Sequence, residues 1–152
     1  MNKKKNFNNK GILFWITGYS GSGKTSIAKK IWSKISKLYG PTILINGDDL
    51  RNILNLKKFS KIERIDNGIK FSKLCEYITN QNINIVFAVV GLFKKIRRRN
   101  RLKIKNYVEI FIKSEIEDII KKGKKNTYKK NKRNIMGKDI KAELPKNPDI
   151  II

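Results

Sequence analysis

The sequence of 152 residues contains no histidine and a single cysteine, Cys75. Without histidine the chain cannot build a Ser-His-Asp triad or a Cys/His zinc site, and one cysteine cannot form an internal disulfide. No apolar run reaches about eighteen residues, which excludes an ordinary membrane-spanning helix. The first ten residues are basic and polar and do not resemble a secretory signal. These absences favour a protein of the reducing cytoplasm that has no membrane partner.

Acidic residues are scarce, since 12 Asp and Glu stand against 36 Lys and Arg and give a formal net charge of +24. Such a charge attracts polyanions, either nucleic acid or phosphorylated small molecules. The lysines are scattered over the whole chain together with abundant Asn and Ile, as in proteins from AT-rich genomes. We therefore expect nonspecific attraction of nucleic acid through charge. Residues 97–101 are either a specific nucleic-acid interface or a solvated helix face.

Hydrophobic patterning predicts alternating strands and helices. An uninterrupted apolar run, typical of a strand buried on both faces, occupies residues 11–17, and mainly apolar segments of strand length occupy residues 42–45, 83–90 and 107–112. Segments with helical periodicity or helix-forming composition lie between and after them, at residues 24–38, 61–80, 93–104 and 114–122. This alternation predicts an α/β domain with a mainly parallel sheet over residues 11–152, preceded by a basic tail at residues 1–10.

A glycine-rich segment directly after the first predicted strand fits the pattern G-x-x-x-x-G-K-[ST] in full. In this pattern backbone N–H groups surround phosphates, the lysine reaches the β- and γ-phosphates, and the hydroxyl ligates Mg²⁺. We therefore expect a three-layer sandwich of the P-loop NTPase type that binds ATP and Mg²⁺, with Lys24 as a catalytic residue and Thr25 as a metal ligand. The candidate ATP-binding residues are Gly18, Tyr19, Ser20, Gly21, Ser22, Gly23, Lys24, Thr25 and Ser26.

The expected acidic partner of this loop does not follow the third strand, because residues 86–90 contain no carboxylate. Asp48 and Asp49 instead follow the second strand, at the same expected edge of the sheet. This position suits a small kinase in which Asp48 orients an acceptor hydroxyl and helps to hold magnesium. The alternative interpretation is that Asp48 caps the next helix.

Five blocks in the same order resemble the adenylylsulfate kinase (APS kinase) family. That family carries G-x-S-G-S-G-K-[ST], D-G-D-N-V-R, F-S-x-x-x-R-x-E-N, Y-K-K with G-x-D, and P-x-N-P-D. The similar segments of this chain are residues 18–25, 46–51, 59–67, 128–130 with 137–139, and 145–149. Members phosphorylate the 3′-hydroxyl of adenosine 5′-phosphosulfate (APS) with MgATP, so the resemblance implies that activity here.

The resemblance also implies a role for individual residues. Asp48 would polarise the acceptor hydroxyl and support the metal, Arg51 and Arg64 would bind the phosphosulfate, and Phe59 would stack on the substrate adenine with Asn67 hydrogen-bonding nearby. A basic lid containing Tyr128, Lys129 and Lys130 would close over ATP. Taken alone, Phe59 is equally an ordinary core residue and Arg64 an exposed helix charge. A homodimer would be unsurprising in such a family.

The sequence also departs from the family pattern. Asn46 replaces the first aspartate of D-G-D, residues 90–92 replace I-S-P, and the lid entry and length differ. The C-terminal helix that the resemblance implies is expected to be absent. Residues 92–96 and 134–137 resemble APS-kinase-like proteins associated with capsule genes, some of which resemble kinases of a cytidine-diphosphate-linked phosphoramidate. Three functions therefore remain open: an APS kinase, a phosphoramidate kinase, or a noncatalytic nucleotide- or nucleic-acid-binding relative.

Overall fold

The computed structural model describes residues 10–123, 126–128 and 132–152, so most of the predicted basic tail lies outside it. The strands are β1 (Ile12–Thr17), β2 (Thr42–Asn46), β3 (Asn84–Ala88), β4 (Asn106–Phe111) and β5 (Ile150–Ile151). The helices are α1 (Lys24–Tyr39), α2 (Gly47–Ile53), α3 (Lys61–Thr79), α4 (Lys94–Lys103) and α5 (Ile116–Lys121), followed by a 3₁₀ turn at Asn126–Tyr128.

The five strands form one sheet in the order β2-β3-β1-β4-β5, and every neighbouring pair is parallel. The predicted parallel sheet is thus confirmed. β1 lies at the centre of the sheet, and its residues are buried throughout. Because all the strands run in one direction, the segments that follow β1, β2 and β3 meet at the same edge of the sheet.

Alternate residues of the central strands face two separate hydrophobic cores. Leu13 and Trp15 pack with residues of α3 and α4, including Phe71 and the buried Cys75. Phe14 and Ile16 face the other way and pack with residues of α1. Helices therefore cover both faces of the sheet, which confirms the three-layer α/β sandwich. Within the described residues no helix is long and apolar enough to span a membrane.

The short helix α2 was not predicted, because the polar segment after β2 has no apolar periodicity. The side chain of Asn46 caps this helix by accepting a hydrogen bond from the Asp48 backbone N–H at 3.0 Å. The interpretation of Asp48 as the cap was therefore wrong, and Asp48 lies in the first turn. The next helix, α3, begins at a capping box in which Ser60 and Glu63 bind each other's backbone N–H groups.

The basic helix α4 is only partly solvated. Arg97 is buried, and its Nε lies 3.4 Å from Oε1 of the buried Glu109 on β4. Arg101 lies 3.4 Å from the second Glu109 oxygen and 3.2 Å from the Asp149 carboxylate, which precedes β5. Much of the arginine cluster thus connects α4 to the sheet. The interpretation of residues 97–101 as one solvated face was wrong at Arg97.

Candidate active site

The phosphate loop lies between β1 and α1, at the carboxyl edge of the sheet. Gly21 and Gly23 have φ angles of 83° and 94°, which a residue with a Cβ rarely adopts. Gly23 is the N-terminal cap of α1 and offers no side-chain acceptor to the first N–H groups of that helix. These N–H groups and the positive end of the helix dipole therefore remain available for an anion.

Lys24 and Thr25, at the start of α1, carry the reactive groups of the loop. The Lys24 Nζ donates a hydrogen bond of 2.6 Å to the Tyr19 carbonyl, so the side chain folds back along the loop. The Thr25 Oγ1 accepts a hydrogen bond of 3.3 Å from the Asn46 side-chain amide at the end of β2. The phosphate loop and the segment that begins at Asn46, both of which the sequence singled out, are thus in direct contact.

A cavity of about 340 Å³ opens beside this contact. Lys24, Thr25 and Ser26 from the start of α1 line it, together with Asp48 and Arg51 from α2. The central expectation from the sequence, that the lysine and the aspartate share one site, matches this geometry. A phosphate held by the loop would lie within the same cavity as the Asp48 carboxylate.

Phe59 and two arginines form the outer wall of the cavity. The guanidinium carbons of Arg51 and Arg64 lie 4.6 Å and 5.1 Å from the centroid of the Phe59 ring. Arg51 Nη1 donates to the carbonyls of Leu56 and Lys58 at 3.2 Å and 3.3 Å. Partial burial lowers the pKa of Arg51. The wall therefore combines an aromatic ring with two guanidinium groups that lie over it, and such cations suit an oxyanion.

Arg64 joins this wall to a distant part of the chain. Its Nε donates to the Phe59 carbonyl at 2.9 Å, and its Nη2 donates to the Asn134 carbonyl at 2.8 Å. Burial lowers the pKa of Arg64, and the nearby Arg51 charge lowers it further. The remaining guanidinium N–H groups can still bind an anion, because these two bonds use only part of the five-donor fork. Arg64 is therefore a connecting residue as well as a candidate ligand.

Four residues predicted for the site, Gly18, Tyr19, Ser22 and Asn67, do not belong to the cavity lining. Asn67 is buried on α3, while its neighbour Gly68 lines the cavity. Gly18 and Tyr19 precede the lining residues of the loop, and the Tyr19 carbonyl accepts the hydrogen bond from Lys24. The Ser22 hydroxyl is buried and has no hydrogen-bond partner in the described part of the chain.

The predicted lid is described in part. Tyr128 donates a hydrogen bond of 3.0 Å to the Ser20 carbonyl of the phosphate loop. Burial raises the pKa of Tyr128 to about 12, so its hydroxyl remains a donor at neutral pH. This contact places the end of the 3₁₀ turn against the loop, where a lid over ATP would begin. Lys129 and Lys130 lie outside the described residues.

Sequence reasoning did not identify the inner end of the cavity. It is formed by buried apolar side chains from separate elements: Trp15, Phe71, Phe93, Ile96 and Met136. Of these, Phe93, Ile96 and Met136 belong to segments that the sequence had set apart, residues 92–96 and 134–137, although no site role was predicted for them. The others have the pattern of ordinary core residues, and tertiary packing alone brings them to the cavity.

The donor set suits a magnesium ion that arrives with nucleotide phosphates. The Thr25 hydroxyl and the Asp48 carboxylate both line the cavity and are oxygen ligands. Among the described residues there is no group of three or more His, Cys, Asp or Glu side chains that could hold a metal without other ligands. Mg²⁺ commonly uses one or two protein oxygens, with phosphates and water completing its shell.

Gly137 packs closely against Tyr19 of the phosphate loop, and a substitution there tests how much this packing contributes to stability. A Cβ at this position would lie 2.5 Å from the Tyr19 ring and 2.6 Å from Ile116, at a backbone φ of 88°. We expect Gly137→Ala to lower the free energy of unfolding by about 2–4 kcal/mol, because it combines steric overlap with backbone strain. Urea unfolding would measure the change.

Gly123→Ala is the matched control for this substitution. Gly123 has a φ of 61°, and a Cβ there would meet no atom within 4 Å. Its cost therefore reports the backbone strain alone, which we expect to be about 1 kcal/mol. Equal costs for the two variants would show that the contact of Gly137 with Tyr19 contributes nothing.

The sequence profile described as adenylylsulphate kinase matches residues 10–152. The chain belongs to this family. It is 33% identical to the cytidine diphosphoramidate kinase of Campylobacter jejuni over 103 residues, which are 68% of this chain and 61% of that protein. It is 30% identical to the adenylyl-sulfate kinase of Clostridium kluyveri over 156 aligned positions, which cover 99% of this chain and 78% of that protein.

A solved structure of the same family superposes closely on this chain. The APS kinase of Mycobacterium tuberculosis, in complex with AMPPNP and APS, matches with a TM-score of 0.83 and 25% identity. The match covers 94% of this chain and 88% of that one. The adenylylsulphate kinase fold thus extends over nearly all of this chain, and its named relatives are kinases.

Proposed function

We propose that this protein transfers the γ-phosphoryl group of ATP to a hydroxyl of a second, nucleotide-linked substrate. The first candidate reaction is phosphorylation of the 3′-hydroxyl of adenosine 5′-phosphosulfate, which yields 3′-phosphoadenylylsulfate and ADP. The observation that carries the proposal is the single cavity lined by Lys24, Thr25 and Asp48. Family membership and the adenylyl-sulfate kinases among its relatives support the same acceptor.

In the proposed reaction the acceptor oxygen forms a bond to the γ-phosphorus as the bond from that phosphorus to the bridging oxygen of ADP breaks. Asp48 orients the attacking hydroxyl and accepts its proton. Lys24 and the N–H groups of the loop bind the phosphate oxygens on which negative charge is carried. When bound, Mg²⁺ would add charge neutralisation between the phosphates, with Thr25 and Asp48 as its candidate protein ligands.

The outer wall would bind the second substrate. In this proposal the base stacks on Phe59, while Arg51 and Arg64 bind the charged groups linked to the nucleotide and Asn67 supports them. Guanidinium groups suit this task because their planar N–H pairs match the spacing of oxyanion oxygens. Holding both substrates in one cavity converts the transfer into an effectively unimolecular step.

A cytidine-diphosphate-linked phosphoramidate is the second candidate acceptor. The Campylobacter jejuni relative carries that activity in its name. Gly91 replaces the serine of the APS kinase pattern, and a Cβ at that position would lie 3.1 Å from Nε1 of Trp15. That Nε1 has no hydrogen-bond partner among the described residues. Position 91, which lines the cavity, therefore differs from the family pattern, and this departure supports an acceptor other than APS.

An acceptor screen coupled to ADP release tests the proposal. We expect the purified chain with MgATP to release ADP with only one of the two acceptors, APS or the cytidine-linked phosphoramidate. We expect Asp48→Asn to lose at least about a hundredfold in turnover with that acceptor while it still binds ATP, because the proton acceptor is removed without a change of shape and the phosphate loop is intact. ATP binding without turnover of either acceptor would overturn the kinase proposal and support a noncatalytic relative.

A further inference from the structure

Asn46 touches both candidate magnesium ligands, which lie on separate helices. Its Oδ1 accepts a hydrogen bond of 3.0 Å from the Asp48 backbone N–H at the start of α2. Its Nδ2 donates a hydrogen bond of 3.3 Å to the Thr25 hydroxyl at the start of α1. Asn46 itself ends β2 and lines the cavity. One short side chain therefore connects the phosphate loop to the acidic turn.

The orientation of this amide is determined by its partners. The Asp48 backbone N–H can only donate, so the amide oxygen must face it. The amide nitrogen is then left facing Thr25, whose hydroxyl oxygen can accept. If the amide were reversed, two N–H groups would face each other and the cap of α2 would be lost.

This arrangement has a consequence for the Thr25 hydroxyl. A hydroxyl oxygen has two lone pairs, and the N–H of Asn46 occupies one of them. A carboxylate in the same place would accept the hydroxyl proton, leave both lone pairs of Thr25 available to a cation, and add a negative charge next to it. The asparagine therefore makes the oxygen shell less negative by one charge than the D-G-D pattern of the family.

We infer that Asn46 is a positioning residue that sets the distance between Thr25 and Asp48 and keeps the affinity of the site for Mg²⁺ low. The inference rests on the proposed function, because it concerns the metal that accompanies ATP. In this arrangement the nucleotide phosphates supply most of the attraction for the cation. The protein then binds MgATP as a preformed complex and holds Mg²⁺ weakly after ADP has left.

The test uses Asn46→Asp and Asn46→Ala in the full chain and needs no turnover. ATP affinity is measured by calorimetry over a range of free Mg²⁺ concentrations and in EDTA. We expect Asn46→Asp to lower the half-saturating Mg²⁺ concentration by about tenfold, and Asn46→Ala to raise it by about tenfold, as for other residues that orient metal ligands. Aspartate keeps the cap of α2 and alanine removes it, so thermal unfolding of both variants separates folding from metal binding.

The outcomes separate this inference from the proposed function. If the wild-type chain binds no ATP with or without Mg²⁺, both the proposed function and the inference are overturned. If ATP affinity in EDTA is unchanged in Asn46→Asp but its Mg²⁺ dependence equals that of the wild type, the inference alone fails. The inference would also be overturned if the half-saturating Mg²⁺ concentration shifted in the same direction in Asn46→Asp and Asn46→Ala. Opposite shifts are expected only if the charge at position 46 acts on the metal, and a purely structural role of the cap does not produce them.

Discussion

Replacing Lys24 by alanine is expected to lower kcat/KM for ATP by about three orders of magnitude. The ammonium group is held within the phosphate loop by its hydrogen bond to the Tyr19 carbonyl, and Lys24 lines the same cavity as Asp48. Removing a donor that stabilises transferring charge in a water-poor site typically costs about a hundredfold to a thousandfold. Steady-state measurement of ADP release, with the acceptor that the screen identifies, gives the effect.

Lys30→Ala is the matched control for Lys24→Ala. Lys30 lies on the same helix and is exposed, so its removal deletes an equal charge away from the cavity. We expect its kcat/KM to stay within about twofold of the wild type, since exposed charges are screened by solvent and salt. A loss of less than tenfold in Lys24→Ala, with the fold intact, would show that phosphoryl transfer does not occur at this loop.

Arg97→Ala is expected to give the largest loss of stability, about 3–5 kcal/mol in the free energy of unfolding. Arg97 is buried and pairs with the buried Glu109, and it also donates to the carbonyls of Gly91 and Glu143. Truncation leaves the buried Glu109 carboxylate paired with Arg101, whose charge compensates it less well because the Arg101 side chain is partly exposed to solvent. Urea unfolding at pH 7.5 measures the loss, and the exposed Arg98→Ala should change stability by no more than about 0.5 kcal/mol.

The pH dependence of this loss identifies its cause. Burial raises the pKa of Glu109 above the ordinary carboxyl value of 4.5 even in the wild type. Without Arg97 that pKa rises further, so the folded variant binds a proton that the unfolded chain releases. Its deficit is therefore largest at neutral pH and shrinks as the pH falls towards the ordinary value. A deficit that is constant between about pH 5 and pH 7.5 would mean that lost packing, and not the unpaired charge, destabilises the variant.

The layered fold could be predicted because its signals are local. The central strand β1 is a short apolar run between glycines, and α1 carries an apolar stripe of helical period. Helix α2 could not be found in this way, because it is only seven residues long and begins with Gly47, Asp48 and Asp49, which are weak helix formers. The cap that Asn46 provides stabilises its first turn.

The phosphate loop was predictable for the same reason, since its geometry is encoded in eight consecutive residues. The inner end of the cavity was not, because Phe71, Phe93 and Met136 come together only through packing of distant segments. The buried role of Arg97 was missed because its partner lies on another element. The sequence nevertheless contained an indication of this pair, because Glu109 is an acidic residue in the middle of a mainly apolar strand. A buried carboxylate needs a cationic partner, so a nearby Arg or Lys could have been expected.

The carbonyl groups that hold the two arginines have a further consequence for recognition. Arg51 and Arg64 are already fixed by main-chain oxygens around Phe59 before any ligand arrives. A long side chain that becomes immobile on binding loses conformational entropy worth about 1–2 kcal/mol, and here much of that loss has occurred during folding. The outer wall is therefore preorganised, and discrimination between acceptors depends on their shape and charge more than on adjustment of the protein.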